Sequence, residues 1–211
     1  VFDLDGTLTW HDTLMPFLRG FLARHPARLC RLWRLPGALL GYLADRDRGS
    51  LKARVISMVL GGASRDRVDR WADDYVRSLH ARHAFRPAAL ATLAEHVAAG
   101  DRLVLLSASP DLYVPRIGRL LGFELCICTE IEWRSDRLGG ALTTPNRRGE
   151  EKARCVERLR AHHPGMLIVA YGNSASDIAH LARADRGTLV NGGYPARRHA
   201  RRAGLAVGRW D

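Results

Sequence analysis

Val1-Phe2-Asp3-Leu4-Asp5-Gly6-Thr7-Leu8-Thr9 opens the chain, and its reading decides the fold. Val1-Phe2-Asp3-Leu4 has the length and apolar bulk of a buried strand, and Gly6 supplies the residue a chain needs to turn sharply. Asp3 and Asp5 are spaced i and i+2, which in extended chain points both carboxylates to the same side. Two acids at the end of an apolar strand repel each other and lose hydration unless a cation or a shared proton relieves them. A solvated Asx turn is the plain alternative. The motifs further along the chain favour chemistry.

Further apolar runs that end in polar or glycine-bearing loops occur at 103–106, 125–128 and 167–170, with a weaker one at 188–190. Helical periodicity lies between them at 87–99, 111–121, 150–162 and 175–184, several of these beginning with Pro, Asp or Glu. Such alternation predicts an α/β fold: a doubly wound parallel sheet with helices on both faces. One interval breaks the rhythm. Residues 14–79 show only helical periodicity and are too many for a loop, so a helical cap is expected over 12–84, inserted into a core formed by 1–11 and 85–211. Gly139-Gly140, between Asp136 and Leu142, reads as the turn of a short hairpin.

The 211 residues are 46% hydrophobic and 26% charged, which excludes a disordered or collagenous chain. No apolar stretch reaches the roughly 18 residues of a membrane span. The chain opens on Val1 without a Met, which leaves room for a leading segment. Cys30, Cys126, Cys128 and Cys155 form no CxxC pair, so they read as reduced thiols of a cytoplasmic protein. The net charge of +11 attracts phosphates or anionic surfaces. Only Lys52 and Lys152 are lysines; the other basic residues are arginines, which makes each compact ammonium worth a question. The segment 15–44 combines apolar bulk with Arg19, Arg24, Arg28, Arg31 and Arg34. That pattern suits an interfacial helix, or a helix packed on its neighbours with a solvated basic face. The run Arg197-Arg198-His199-Ala200-Arg201-Arg202 has no interleaved aromatics, and no nucleic-acid partner is expected.

Three more motifs come after Asp3 and Asp5 in order: Ser107-Ala108-Ser109 after the second strand, Gly149-Glu150-Glu151-Lys152, and Gly172-Asn173-Ser174-Ala175-Ser176-Asp177 after the fourth. Together with Asp3 to Thr9 they resemble the four ordered signatures of the haloacid dehalogenase superfamily of phosphohydrolases. The resemblance implies a phosphomonoester hydrolase in which Asp3 attacks phosphorus and Asp5 serves the leaving oxygen as acid and water as base. Ser107, with the backbone N–H groups of Ala108 and Ser109, would hold phosphoryl oxygens, and Lys152 would neutralise developing charge. It also implies Mg2+, a hard cation suited to oxygen donors, held by Asp3, the Asp5 carbonyl and the fourth signature. Relatives near phosphoserine phosphatase carry Asp where this chain has Asn173, leaving open whether Asn173 or Asp177 is the direct ligand.

A helical cap between the first two signatures resembles the phosphoserine-phosphatase-like branch, in which an acid nine positions after the nucleophile and a cap arginine grip the substrate. Asp12 and Arg54 occupy the matching places. The stretch from Asp12 to Leu18 and the arginine-rich segment after it are also loosely similar to the C-type phosphatidylglycerophosphate phosphatases. The expected partner is therefore a small-molecule or lipid phosphate monoester, with the chain cytoplasmic or peripheral at the inner membrane surface. The alternative is a basic membrane- or nucleic-acid-binding module on an inactive hydrolase scaffold.

Overall fold

The computed structural model describes residues 1–210. After Phe2, a wide turn over Leu4–Leu8 closes where the Thr9 N–H returns to the Leu4 carbonyl at 3.0 Å. Helical structure then runs through α1 (Leu14–Arg24), a 3-10 segment (Pro26–Arg34), α2 (Leu35–Asp45), α3 (Arg48–Leu60) and α4 (Arg65–Ala81). The rest alternates: α5 (Pro87–Ala98), β1 (Val104–Pro110), α6 (Val114–Leu120), β2 (Leu125–Thr129), the hairpin β3 (Ile131–Arg134) and β4 (Arg137–Leu142), α7 (Glu150–His162), β5 (Val169–Gly172), α8 (Ile178–Leu181), β6 (Arg186–Val190), α9 (Tyr194–Arg202) and β7 (Ala206–Gly208). Among these helices none is long and apolar enough to cross a membrane.

Phe2 is the pivot of the sheet. On one side its N–H donates to Val104 O and its carbonyl accepts from Leu106 N, both at 2.8 Å; on the other, Asp3 N donates to Tyr171 O at 3.0 Å. Phe2 thus bridges β1 and β5 in parallel, and the strand order reads β2, β1, Phe2, β5, β6, β7, all parallel. Of the expected strand at 1–4, Phe2 is the bridge residue, Val1 O and Asp3 N flank it with hydrogen bonds to Tyr171, and Leu4 already belongs to the turn. The carboxyl ends of the central strands therefore deliver Asp3, Ser107 and Asn173 to one edge, the edge at which doubly wound sheets bind ligands.

Local chemistry explains the helix boundaries. The Asp47 carboxylate accepts the Gly49 N–H at 2.8 Å and starts α3. Pro opens α5, and Glu150 and Glu151 lie on the positive end of α7 while Arg160 and His162 lie on its negative end. The helical pattern expected over 175–184 is split into a 3-10 turn at Ala175–Asp177 and the four-residue α8.

One apolar cluster runs from the sheet into the helical layer. Phe2 stacks on Tyr171 with ring centres 4.8 Å apart and meets Phe123 edge-on. In the helical layer, Phe17 of α1 packs on Trp71 and Tyr75 of α4 and on Tyr113. The polar tips of these rings are used. Trp71 Nε1 donates to Phe17 O at 3.1 Å, the Tyr75 hydroxyl donates to Thr13 O at 2.7 Å, and the Tyr113 hydroxyl lies 3.0 Å from Thr13 Oγ1.

The hairpin corrects the reading of Gly139-Gly140. Its turn falls at Ser135-Asp136, where Ser135 takes a left-handed φ of 53°, and the glycine pair lies inside β4. The glycines serve close approach: a Cβ on Gly140, whose φ is +93°, would stand 2.7 Å from Ser57 Cα of α3. Gly140→Val is expected to destabilise the chain by roughly 2–4 kcal/mol, through overpacking and a disfavoured φ. Gly37→Ala, with open space around its position in α2, should be neutral or stabilising. Urea denaturation of the two variants checks the contrast.

Candidate active site

Asp3 sits where the sheet ends and is buried. Its Oδ2 accepts from Thr7 Oγ1 at 2.9 Å and its Oδ1 from the Lys152 ammonium at 2.6 Å. Lys152, 3% exposed in the first turn of α7, also donates to Asp177 Oδ1 at 2.7 Å. Asp5 faces the helical layer. Its Oδ1 accepts from Thr13 N at 2.7 Å and Thr13 Oγ1 at 2.6 Å, and its Oδ2 from Ser109 Oγ at 2.6 Å. Gly6 lets the turn lie against the Asn173 loop: its φ is +80°, and a Cβ there would collide with the Asn173 amide, 2.0 Å away.

The three carboxyls respond differently to burial. Asp177 is held far below the usual carboxylate range despite its burial, because Lys152 adjoins it and Ser174 donates to it. Its Oδ2 accepts from Asn173 N at 3.2 Å, Ser174 N at 2.9 Å and Ser174 Oγ at 2.7 Å. Asp3 is pushed up by burial and by the charges of Asp177 and Asp5, with Lys152 opposing. Asp5 is also raised by burial, against the hydrogen bonds from Ser109 and Thr13. The same contacts hold the Lys152 ammonium firmly charged: burial works against it, and the two carboxylates more than compensate.

Asp3 and Asp5 border a cavity of about 730 Å³. Asp12, Ala108, Ser109, Lys152, Asn173 and Asp177 join them in its lining, so most of the residues singled out in the sequence converge. Ser107 stays behind the wall. It is fully buried, and its Oγ accepts the Ser109 N–H at 3.0 Å, bracing the loop that carries Ala108 and Ser109 forward. Asp12 does two things: it borders the cavity and its Oδ1 caps α1 through Met15 N at 3.0 Å.

Arg54 lies outside the cavity lining. It is exposed, and its guanidinium packs over Gly41 of α2. Lys52, two residues earlier, takes the inward position, since residues two apart on a helix do not share a face. The Lys52 ammonium donates to Ala108 O at 2.6 Å and Asn146 Oδ1 at 2.5 Å, tying α3 to the sheet edge. Burial lowers it to about 8, with Asp5 and Asp12 partly opposing. The signal that could have found it is compositional: Lys52 is one of two lysines in an arginine-rich chain. Arg48 and Arg148 add positive charge to the lining, while Trp10, Leu14, Met15, Tyr42, Leu51 and Val55 give the cavity an apolar wall.

Asp3, Asp5, Asn173 and Asp177, all carrying oxygen donors, line the same cavity. Among the described residues no three His, Cys, Asp or Glu side chains form a metal-binding group. The set is therefore a mixed one, in which an amide stands where a third carboxylate could. It suits a hard divalent cation, which would relieve the charge that raises Asp3.

A parallel sheet of this order, with an acid pair and a buried lysine at its carboxyl edge, is a hydrolase scaffold. The family model for haloacid dehalogenase-like hydrolases matches residues 1–182, and the chain belongs to that family. Protein CicA of Caulobacter vibrioides is 37% identical over 199 residues, spanning 92% of this chain and 87% of CicA. A Bordetella pertussis Tohama I protein of unknown function superposes with a TM-score of 0.79 at 24% identity, covering 98% of this chain and 95% of that one. A phosphoserine phosphatase bearing a phospho-aspartyl intermediate analogue has the same fold, with a TM-score of 0.67 at 16% identity over 100% of this chain and 91% of that one.

His180 of α8 is fully buried, its Nδ1 3.8 Å from Asp177 Oδ1, and neither ring nitrogen has a hydrogen-bond partner among the described residues. Burial and the Lys152 charge lower it to about 3. The unfolded chain takes up a proton at this ring below about 6.5 and the folded chain does not, so its contribution to stability falls with pH from about 6.5 towards 3. The raised Asp3 and Asp5 carboxyls act in the opposite sense, so the comparison must be differential. Wild type is expected to lose on the order of 3–5 kcal/mol relative to His180→Leu between pH 7 and pH 3, read by paired urea denaturation curves across that range.

Proposed function

We propose that the chain is a phosphomonoesterase that works through an aspartyl phosphate on Asp3, with 12–84 acting as a cap over a core of 1–11 and 85–211. The observation that carries this reading is the arrangement of Asp3 and Asp5 at one cavity floor, with the Lys152 ammonium fixed between Asp3 and Asp177.

Asp3 Oδ forms a bond to phosphorus as the bond from phosphorus to the leaving oxygen breaks. Asp5, whose burial favours its protonated form, gives its proton to that oxygen. Water then attacks the phosphorus, Asp5 takes the water's proton, and Asp3 departs as a carboxylate with inorganic phosphate released. Thr13 and Ser109 hold the Asp5 carboxyl in place through both steps. Lys152 balances the negative charge that gathers on Asp3 and the phosphoryl oxygens. A magnesium ion held by Asp3, the Asp5 carbonyl and the Asn173 amide oxygen would supply the remaining charge neutralisation. Asp177 serves that site from behind, since its oxygens are taken by Lys152 and the loop.

The apolar wall and the cations Arg48, Lys52 and Arg148 point to a phosphate monoester with an anionic, partly apolar leaving group, small-molecule or lipid. Release of phosphate from p-nitrophenyl phosphate, phosphoserine and phosphatidylglycerophosphate in micelles tests the assignment. Asp3→Asn is expected to lower kcat by at least roughly 10³-fold without unfolding the chain, and EDTA to abolish turnover that Mg2+ restores. A folded protein with no metal-dependent release from any of the three would end this reading.

Lys52 gives a second test, through its lowered proton affinity. KM for an anionic substrate should rise as pH climbs through about 8, where the ammonium loses its charge. Lys52→Met should raise that KM roughly tenfold and flatten the rise, with a smaller effect on p-nitrophenyl phosphate.

A further inference from the structure

Residues 13–44 contain five arginines and no acid. Within them α2 carries no charge from Leu35 to Ala44 and is apolar on every side. Helices of that kind are ordinarily enclosed by protein, yet from Leu35 to Ala44 only Ala38 is buried. Leu39, Leu40 and Leu43 are exposed, Leu40 by 66%, and Pro36, Leu40 and Leu43 follow the i, i+4, i+7 spacing of a single face. The adjoining 3-10 segment adds Leu29 and Trp33, the latter 74% exposed.

The arginines beside this face keep their charge unbalanced. Arg28 donates to Val59 O and Gly61 O, and Arg31 to Gly61 O, which are neutral acceptors. The Arg34 guanidinium lies 5.3 Å from the Trp33 ring centre. Among the described residues none of Arg28, Arg31 and Arg34 has a carboxylate partner.

We propose that the surface formed by Leu29, Trp33, Leu40 and Leu43, with Arg31 and Arg34 beside them, docks on an anionic lipid bilayer. The apolar side chains enter the interface, tryptophan seats at headgroup depth, and each guanidinium meets a lipid phosphate. The eleven residues of α2 are too few to span a bilayer, so the helix lies along it. Charge complementarity selects this occupant: a second copy would bring two acid-free arginine clusters together, which like-charge repulsion opposes. The surface reaches the cavity rim through α2 itself, because the half-buried Tyr42, between Leu40 and Leu43 in sequence, is part of the cavity lining.

Flotation of the full chain with phosphatidylcholine vesicles, and with vesicles containing phosphatidylglycerol as well, tests the proposal. Binding is expected to the anionic vesicles alone and to weaken with salt. Trp33→Ser/Leu40→Ser/Leu43→Ser should weaken it more than roughly tenfold and leave p-nitrophenyl phosphate turnover and the circular dichroism spectrum unchanged. Arg34→Gln should weaken it by roughly fivefold, the worth of one basic contact at the lipid surface, and it decides the matter should the triple variant not fold. Failure to float with anionic vesicles, equal binding to neutral ones, or binding that both variants retain would overturn the proposal. So would a wild-type oligomer in sedimentation velocity that the triple variant dissolves, which would assign the face to a second copy.

Discussion

One ammonium group held between two buried carboxylates organises this molecule. Lys152 comes from α7, Asp3 from the centre of the sheet and Asp177 from the loop after β5, so three parts of the chain must be in register before the contact exists. Burying three charges is expensive, and removing Lys152 would leave two buried carboxylates uncompensated, whereas removing Asp3 leaves the Lys152–Asp177 pair balanced. The arrangement also separates the two acids. Asp177 has three further donors on its second oxygen, whereas Asp3 has only the Thr7 hydroxyl. Asp3 is therefore the more basic carboxylate of the two and the better nucleophile, by environment rather than by residue type.

The helical layer sets the other acid. Phe17, Trp71, Tyr75 and Tyr113 form an aromatic cluster whose hydroxyls converge on Thr13, and Thr13 presents its N–H and hydroxyl to a single oxygen of Asp5. A packing arrangement more than a hundred residues wide in sequence thus fixes the position of one carboxyl. Asp5 is held between Thr13 of the helical layer and Ser109 at the end of β1, and Asp3 by its place in the sheet and by Lys152 of α7.

Much of this was legible in the residues. The acid pair, the lysine and the acidic loop are spaced along the chain as a parallel sheet would need them, and apolar runs ending in polar loops announce that sheet. What escaped depended on three-dimensional phase. Lys52 and Arg54 are equivalent in composition, and only the rotation of α3 decides which faces inward. Ser107 and Ser109 are likewise two residues apart, and the chain's bend at the strand end puts the second on the cavity and the first behind it. Gly139 and Gly140 have the composition of a turn, but the partner that Gly140 makes room for, Ser57, lies more than eighty residues away.

Both lysines of the chain border one cavity, and every other cationic side chain of fixed charge is a guanidinium. An amine-directed acylating reagent would thus find, apart from the chain's amino terminus, no lysine target on the outer surface. Of the two inside, Lys152 is locked in its charged, unreactive form, while Lys52 releases its proton near pH 8 and is the softer nucleophile. Among the lysines the reagent is therefore directed to Lys52, and bound ligand can be read by the protection it gives that side chain.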